Sequence, residues 1–202
     1  LALYIGNIDF EDVRMTWRED FDTMVDTGKL PYGVTSPFRQ IPVLEVDGQA
    51  IGQTAGIARF CGKLSGLYPK NDDMLAAQID QIIDAANDIT NLVGLTMREK
   101  DLDKRKLERQ KLSKEVLPKW FGFLENLLTE NKSSEWFVGD KMSVADLAIW
   151  RLLGWIISGK LEHVPTTLLD TFPKLAKLYK GVDSHPKVQE WISLKYPKKY
   201  TS

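Results

Sequence analysis

The stretch SPFRQIPVLEVDGQAIGQTAGIARFCGKLSG, from Ser36 to Gly66, carries the strongest fold signal in this chain. Its residues Ile41 to Val46 predict a strand, because they are mostly apolar and β-branched. Asp47-Gly48 follows at once and is a strong two-residue hairpin turn, after which Ala50 begins a returning strand. The stretch therefore predicts a β-hairpin.

The Ile41-Pro42 bond gives this hairpin a possible binding role. An X-Pro amide loses only ~0.5–1 kcal/mol in becoming cis. A cis bond here would turn the backbone N–H and C=O of Ile41 outward, where an extended peptide could pair as an added strand. The alternative is that Pro42 simply starts the strand, and for this bond taken alone that is the commoner case.

A helix start follows the hairpin. Gln53-Thr54 opens a helix that is predicted to run to about Ser65 and to stop near Gly66. Thr54 is predicted to cap the helix through its hydroxyl, and the N–H groups of the first turn favour a carboxylate. An ordinary N-cap without a ligand is the alternative interpretation.

Upstream of this stretch, the pattern predicts a helix end, a strand and an irregular segment. Leu1 to Ile5 is typical of the last turns of a helix, with Gly6-Asn7 as its stop. Ile8 to Val13 alternates apolar and polar residues and predicts a short strand. Trp17 to Gly33 has no clean period, which predicts loop and short helix.

The polar segment from Tyr68 to Asp73 is the predicted domain boundary, separating residues 1–69 from residues 74–202. Beyond it, apolar residues recur with a helical period, as at Ile79, Ile82, Ile83, Ala86, Ile89 and Val93. The run from Met142 to Ile157 is apolar nearly all round, which predicts a central buried helix. Ser143 and Asp146 at its start form a capping-box pattern.

Composition excludes several classes of function. The 202 residues carry a net charge of −1, so no overall field attracts nucleic acid or an anionic membrane surface. No apolar run reaches the ~20 residues that a membrane span needs. The single Cys61 fits a reducing, cytoplasmic compartment, and the two His residues lack the spacing of a zinc site.

The order of these motifs resembles the glutathione-binding half of soluble glutathione transferases. The shared pattern is Gln40-Ile41-Pro42-Val43-Leu44, a hairpin turn, and then Gln53-Thr54 at a helix start, with Thr54 where the family usually has Ser. Further similarities, some of them to the sigma class, lie at Leu1–Ile5, Phe10–Arg14, Ala58-Arg59-Phe60, Gly66–Pro69, Ser143–Asp146, His185-Pro186 and Trp191. The resemblance implies an α/β plus all-α fold, with a thioredoxin-like N-terminal domain followed by an all-helical domain.

The resemblance also implies a function and a set of site residues. The expected activity is conjugation of the glutathione thiol to electrophilic small molecules, a detoxification reaction of a cytoplasmic homodimer with glutathione as co-substrate. The resemblance implies that Ile41, which lies between Gln40 and Pro42, contacts the backbone of the cysteinyl unit of glutathione. It also implies that Gln53 and Thr54 contact the γ-glutamyl carboxylate. Asp88 of the partner chain would contact the amino group of the γ-glutamyl unit of glutathione. Phe21 and Lys29 are further candidates for ligand contact.

The residue that activates the sulfur is expected outside this sequence. In the family, a Tyr hydroxyl on the first strand favours the thiolate, which is the nucleophile. Tyr4 lies in the helix after that strand and does not match the motif, so no catalytic residue is assigned. We expect roughly twenty further residues upstream of Leu1, including that Tyr.

A polar helix face remains open to two interpretations. Asp80, Asp84, Asn87, Asp88 and Asn91 recur at steps of three and four and share one side of a helix. They form either a solvated face or, as the resemblance implies, a ligand-facing edge at a dimer interface. A prostaglandin-converting branch of the family binds a divalent ion with three acids here. Because one of these positions is Asn87, no metal is predicted.

Three other functions fit the same scaffold. The chain could be a glutathione-dependent isomerase, for example of prostaglandins. It could instead bind apolar ligands without catalysis, or serve as a structural protein. Loss of conjugating activity with glutathione binding intact would favour the binder, whereas isomerisation without net consumption of glutathione would favour the isomerase. The pocket for a second substrate is expected near the helix end at Gly94–Arg98 and at the C-terminal segment.

Overall fold

The computed structural model describes residues 1–15 and 19–195. Its first part contains three helices, a short 3₁₀ turn at Pro31–Gly33 and two strands. In chain order, these are α1 (Ala2–Ile5), α2 (Glu19–Thr27), β1 (Val43–Val46), β2 (Gln49–Gly52) and α3 (Thr54–Ser65). The sequence predicts loop and short helix from Trp17 to Gly33. Residues 16–18 lie outside the described residues. From residue 19 onward the segment contains α2 and the 3₁₀ turn, as predicted.

The second part is helical in the residues that the structure describes. Its helices are α4 (Asp73–Arg98), α5 (Leu102–Lys111), α6 (Leu117–Glu130), α7 (Val144–Ile156), α8 (Pro173–Asp183) and α9 (Pro186–Lys195). A π turn at Leu112–Val116 joins α5 to α6, and a 3₁₀ turn at Leu168–Thr171 precedes α8. This matches the helical periodicity of the sequence.

The hairpin has the predicted turn and register. β1 and β2 are antiparallel, with Val43 opposite Gly52 and Val46 opposite Gln49. Asp47 and Gly48 both have positive φ, 50° and 78°, as the favoured two-residue hairpin turn requires. Both strands are half-buried apart from Glu45 and Gln49, which are exposed.

The predicted strand at Ile8–Val13 is wrong, because none of these residues is in a strand. A strand is defined by its ladder partner, and among residues 1–15 and 19–195 the only sheet is the pair β1–β2. The segment packs on α9 instead. The rings of Phe10 and Trp191 lie 5.7 Å apart, and Lys195 forms an ion pair with Asp12 at 3.1 Å.

The core is centred on α7, as predicted. Eight of its residues are buried, and α7 packs against α4, α8 and α3. Its start is a complete capping box. The Ser143 hydroxyl accepts the Ala145 N–H at 3.3 Å, and the Asp146 carboxylate accepts the Ser143 N–H at 2.6 Å.

The segment at the predicted domain boundary is anchored to α4. The Tyr68 side chain is buried, and its hydroxyl donates to Asp80 at 3.0 Å. Asp72 caps the helix by accepting the Leu75 N–H at 2.9 Å. Gly62 of α3 approaches Tyr68 and Val144 so closely that an added Cβ would lie 3.0–3.1 Å from them. The first and second parts therefore meet through α3, α4 and α7.

Candidate functional site

Ile41 occupies an open position immediately before β1. The Ile41-Pro42 peptide bond is cis, as the sequence allowed, and 48% of the Ile41 residue is exposed. Within the described part of the chain, its main-chain N–H and C=O form no hydrogen bond. The outer edge of β1 also has no partner strand there. A main-chain donor and acceptor are therefore available to an extended ligand.

The segment before Ile41 is fixed from within by one buried hydroxyl. Ser36 Oγ donates to the Gln40 carbonyl at 2.8 Å and accepts the Gln40 N–H at 3.0 Å. The Ser36 N–H in turn donates to the Gly28 carbonyl at 2.8 Å. Gln40 is thus held by its main chain, and its exposed side chain is left free to face a ligand.

Arg39 is a positioning residue that the sequence did not reveal. Its guanidinium donates to the carbonyls of Val25 and Asp26, at 3.2 and 3.0 Å. These are carbonyls of the last turn of α2, which favours a cation. The contact ties α2 to the segment that carries Ile41. Because the partners lie 13 and 14 residues away in sequence, no local motif signals it.

The start of α3 differs from the sequence prediction. Gln53 is the N-cap, with φ 70° and ψ 120°, and Thr54 is already the first helical residue. No side chain caps this helix, so the predicted capping role of Thr54 is wrong. An N-cap needs extended backbone one position before the helix, and Thr54 lies inside it. The N–H groups of Thr54, Ala55 and Gly56 consequently have no partner among the described residues.

Phe21 and Lys29 lie on either side of the Arg39 contact. Phe21 is on α2 and 40% exposed. Lys29 follows α2, and its ammonium group donates to the Thr35 hydroxyl at 3.0 Å. Lys29 and Thr35 also form an isolated antiparallel bridge. The structure therefore brings Lys29 to the loop that leads to Gln40, and it shows no contact between Phe21 and Ile41.

The polar face of α4 is divided between two environments. Arg59 of α3 donates to Asp80 and Asp84, at 2.7 Å in both cases, so these acids join α3 to α4. Asp88 is exposed. No cluster of three or more His, Cys, Asp or Glu is positioned for a metal ion within residues 1–15 and 19–195.

Tyr4 and Cys61 make their contacts elsewhere in the fold. The Tyr4 ring stacks at 5.2 Å from Trp191, and burial together with a hydrogen bond to Glu190 raises the pKa of its hydroxyl. Cys61 is 7% exposed, and burial raises the pKa of its thiol, which makes it a weak nucleophile.

Two adjoining cavities lie at the far end of α4. The larger has a volume of about 710 Å³ and lies between α4, α5 and the π turn. The smaller, of about 510 Å³, is lined by Asp88, Asn91, Leu92, Gly94, Leu95, Arg98 and Trp120. Both include the helix end at Gly94–Arg98 where the sequence placed the second substrate.

Comparison with known proteins identifies the family. Residues 87–195 match the family model described as glutathione S-transferase, C-terminal domain. The chain belongs to the glutathione S-transferase family. Among its relatives, hematopoietic prostaglandin D synthase of Mus musculus is 34% identical over 163 residues, which are 81% of this chain and 76% of the relative. Probable glutathione S-transferase 6 of Caenorhabditis elegans is 33% identical over 161 residues, 78% of this chain and 75% of that protein.

Solved structures of this family confirm the predicted fold class. The structure of prostaglandin synthase D of Nilaparvata lugens superposes with a TM-score of 0.79, at 28% sequence identity. The match covers 97% of this transferase chain and 89% of that one. The N-terminal part is accordingly thioredoxin-like and the rest is all-helical. Within its described residues, this family member has no helix of the length and apolarity that a bilayer crossing requires.

Proposed function

We propose that this chain binds glutathione and transfers its thiol to electrophilic small molecules. In this reaction the thiolate attacks an electrophilic carbon, a sulfur–carbon bond forms, and the leaving group departs with its electron pair. Family membership supports the proposal. The structural observation that carries it is the pairing of two unfilled main-chain sites, at Ile41 and at the start of α3.

These two sites match two neighbouring units of one short peptide. Ile41 offers one N–H and one C=O, which is the complement of the cysteinyl unit of glutathione. The first turn of α3 offers N–H groups and the positive end of the helix dipole, which suit the γ-glutamyl carboxylate. Gln53 and Thr54 are both exposed there and can add side-chain hydrogen bonds.

The remaining assignments are proposals that follow the same scheme. Gln40 and Pro42 shape the backbone on either side of Ile41, and Lys29 and Phe21 are candidates for contact with the ligand. We propose a homodimer, in which the Asp88 carboxylate of one chain meets the ligand amine bound by the other. We also propose cytoplasmic residence, a domain division between 1–69 and 74–202, and a second substrate at the α4 end.

Equilibrium binding tests this function directly. The first measurement is calorimetric titration with glutathione and with cysteinylglycine, which lacks the γ-glutamyl unit. Glutathione should bind at least about tenfold more tightly, since only it fills the α3 start. Equal affinity for the two peptides would remove the main support for the assignment of Gln53 and Thr54. Conjugation of an activated aryl chloride is the second readout.

A glutathione-dependent isomerase is the second candidate. It is favoured by the similarity to two proteins named for prostaglandin D synthesis, one from mouse and one from a planthopper. An isomerase returns glutathione unchanged, whereas a transferase consumes one molecule for each product. Counting free thiol during turnover therefore separates the two: a constant thiol concentration with product formation identifies the isomerase.

A further inference from the structure

A loop of residues 28–40 joins α2 to the segment that carries Ile41. The Gly28 carbonyl accepts the Ser36 N–H at 2.8 Å, so this loop is closed at its base. At its tip, the Tyr32 residue is 84% exposed, so its ring does not attach the loop to the core. The position of the loop relative to the core therefore depends on the residues at its base.

The last turn of α2 supplies a fixed support beside this base. Met24 is fully buried, and it is the one buried residue of α2. Its carbonyl accepts the Gly28 N–H at 2.8 Å. The carbonyls of Val25 and Asp26 belong to the same turn, and the carbonyls at the end of a helix lack intrahelical donors. A buried turn thus presents acceptors to the loop.

The Arg39 guanidinium supplies the donor for these acceptors. One nitrogen, Nη1, donates to both carbonyls, at 3.2 Å to Val25 and 3.0 Å to Asp26. The side chain passes beside Gly28, where an added Cβ would lie 3.8 Å from its Cγ and 3.9 Å from its Nε. Because the C-terminal end of a helix favours a cation, the dipole of α2 strengthens the contact. Arg39 therefore fixes the base of the loop to α2.

The main chain of Arg39 adopts a conformation that its side chain disfavours. Its φ is 51°, in the left-handed region where residues with a Cβ are strained and glycine is not. Its N–H donates to the Ser36 carbonyl at 3.3 Å, within the turn in which the Ser36 hydroxyl holds Gln40. A glycine would form this turn with less strain, so the side-chain contacts, rather than the turn, account for the arginine.

We propose that Arg39 is a positioning residue for glutathione. Through α2, it holds the main chain of Ile41 where the N–H and C=O can pair with the cysteinyl unit, and it does not touch the ligand itself. The Ser36 hydrogen bonds set the shape of the turn, whereas the Arg39 contacts set its position relative to the core. This inference rests on the proposed function, because it assigns a role at the site proposed to bind glutathione.

Three variants test whether the contact with α2 controls affinity. Arg39→Gln removes the charge and shortens the side chain, and it should weaken glutathione binding about tenfold in calorimetric titration, because the site is then less preorganised. Arg39→Lys should recover most of that affinity, since one ammonium group can donate to both carbonyls as Nη1 does. Arg151→Gln makes the same change at an exposed position of α7 and should bind as the parent chain does.

Arg39→Gly separates the contact from the backbone strain. Glycine tolerates the left-handed conformation, so the urea midpoint of unfolding should stay close to that of the parent chain. Glutathione binding should nevertheless weaken as much as in Arg39→Gln. Parent affinity in Arg39→Gly, or no recovery in Arg39→Lys, would overturn the proposal. So would a fall in the urea midpoint that parallels the loss of affinity, because Arg39 would then support the fold as a whole.

A second ligand locates the effect within the site. Cysteinylglycine shares the cysteinyl unit with glutathione and lacks the γ-glutamyl unit, so Arg39→Gln should weaken the binding of both by the same factor. A loss confined to glutathione would place the effect at the α3 start and contradict the role at Ile41.

The same titrations keep this inference separate from the proposed function. If the parent chain does not bind glutathione, the proposed function is rejected and the role of Arg39 with it. If the parent chain binds glutathione and Arg39→Gln binds it equally well, only the role of Arg39 is rejected.

Discussion

The helices α7 and α3 differ in how the free N–H groups of their first turns are satisfied. The start of α7 is closed: Ser143 and Asp146 exchange hydrogen bonds, and Asp146 also accepts the Phe137 N–H at 2.9 Å. The start of α3 is open, because Gln53 is its N-cap and no side chain satisfies its first turn. One start is buried in the core and the other is exposed at the surface.

The difference teaches which start can serve a ligand. Buried N–H groups must be satisfied within the protein, since each unpaired group costs about 1–3 kcal/mol. Exposed N–H groups form hydrogen bonds with water, and replacing that water by a carboxylate costs little free energy. The same short sequence pattern, a hydroxyl residue at a helix start, therefore supports the fold at α7 and is available for binding at α3.

The largest effect on stability is expected when the capping box at the start of α7 is removed. Asp146→Ala leaves the N–H groups of Phe137 and Ser143 unsatisfied in the core, which should lower the free energy of unfolding by about 3 kcal/mol. For a chain of this size, the melting temperature should fall by roughly 10 °C. Urea unfolding followed by circular dichroism measures the change. Asp140→Ala, at an exposed position, is the control, and a loss below 1 kcal/mol for Asp146→Ala would contradict the prediction.

An intermediate effect, on glutathione affinity, is expected when a carboxylate side chain is introduced at the start of α3. Gln53→Asp places a carboxylate of the chain itself at the α3 start, where it competes with that of the ligand. Glutathione affinity should fall by about tenfold, while stability stays equal or rises by up to about 1 kcal/mol. Gln49→Asp on β2 makes the same charge change at another exposed position and should leave affinity unchanged. Equal affinity in the two variants would show that the α3 start holds no carboxylate.

The smallest effects are expected when the hydroxyls of Ser143 and Thr54 are removed one at a time. Ser143→Ala removes a cap and should lower the free energy of unfolding by about 1 kcal/mol, with glutathione affinity unchanged. Thr54→Ala removes no cap bond, so it should change stability by less than about 0.5 kcal/mol and weaken glutathione binding several-fold. Thermal melting and calorimetry on both variants decide the matter. A reversed pattern would make Thr54 an ordinary structural residue.

Local patterns explain what the sequence predicted well. The Asp47-Gly48 turn, the Gly66 stop of α3 and the Ser143 capping box each depend on a few adjacent residues. Gly66 indeed ends α3 in the left-handed conformation, with φ 76°. The order of these local signals was also enough to predict the family, because they follow one another within the stretch from Ser36 to Gly66.

Contacts between distant residues explain what the sequence missed. A strand at Ile8–Val13 needs a neighbour to pair with, and alternation alone cannot supply one. The exact cap of α3 depends on the backbone of Gln53, whose positive φ no propensity predicts. The Arg59 contacts with Asp80 and Asp84 join residues 21 and 25 positions apart. The site residues themselves await the binding measurements above.

The π turn at Leu112–Val116 makes the chain sensitive to length as well as to composition. A π turn has one residue more than the α-helical turn it replaces, and each helical residue advances the chain by about 100°. Because the wider turn absorbs this extra residue, a single deletion here would restore a regular helix and leave the faces of α5 and α6 in register. A further insertion that the turn did not absorb would instead rotate α6 by that angle relative to α5, and Leu117, which is fully buried, would then leave the core. During divergence, gain or loss of the extra residue would therefore reshape the wall of the cavity while the core packing of α6 is kept.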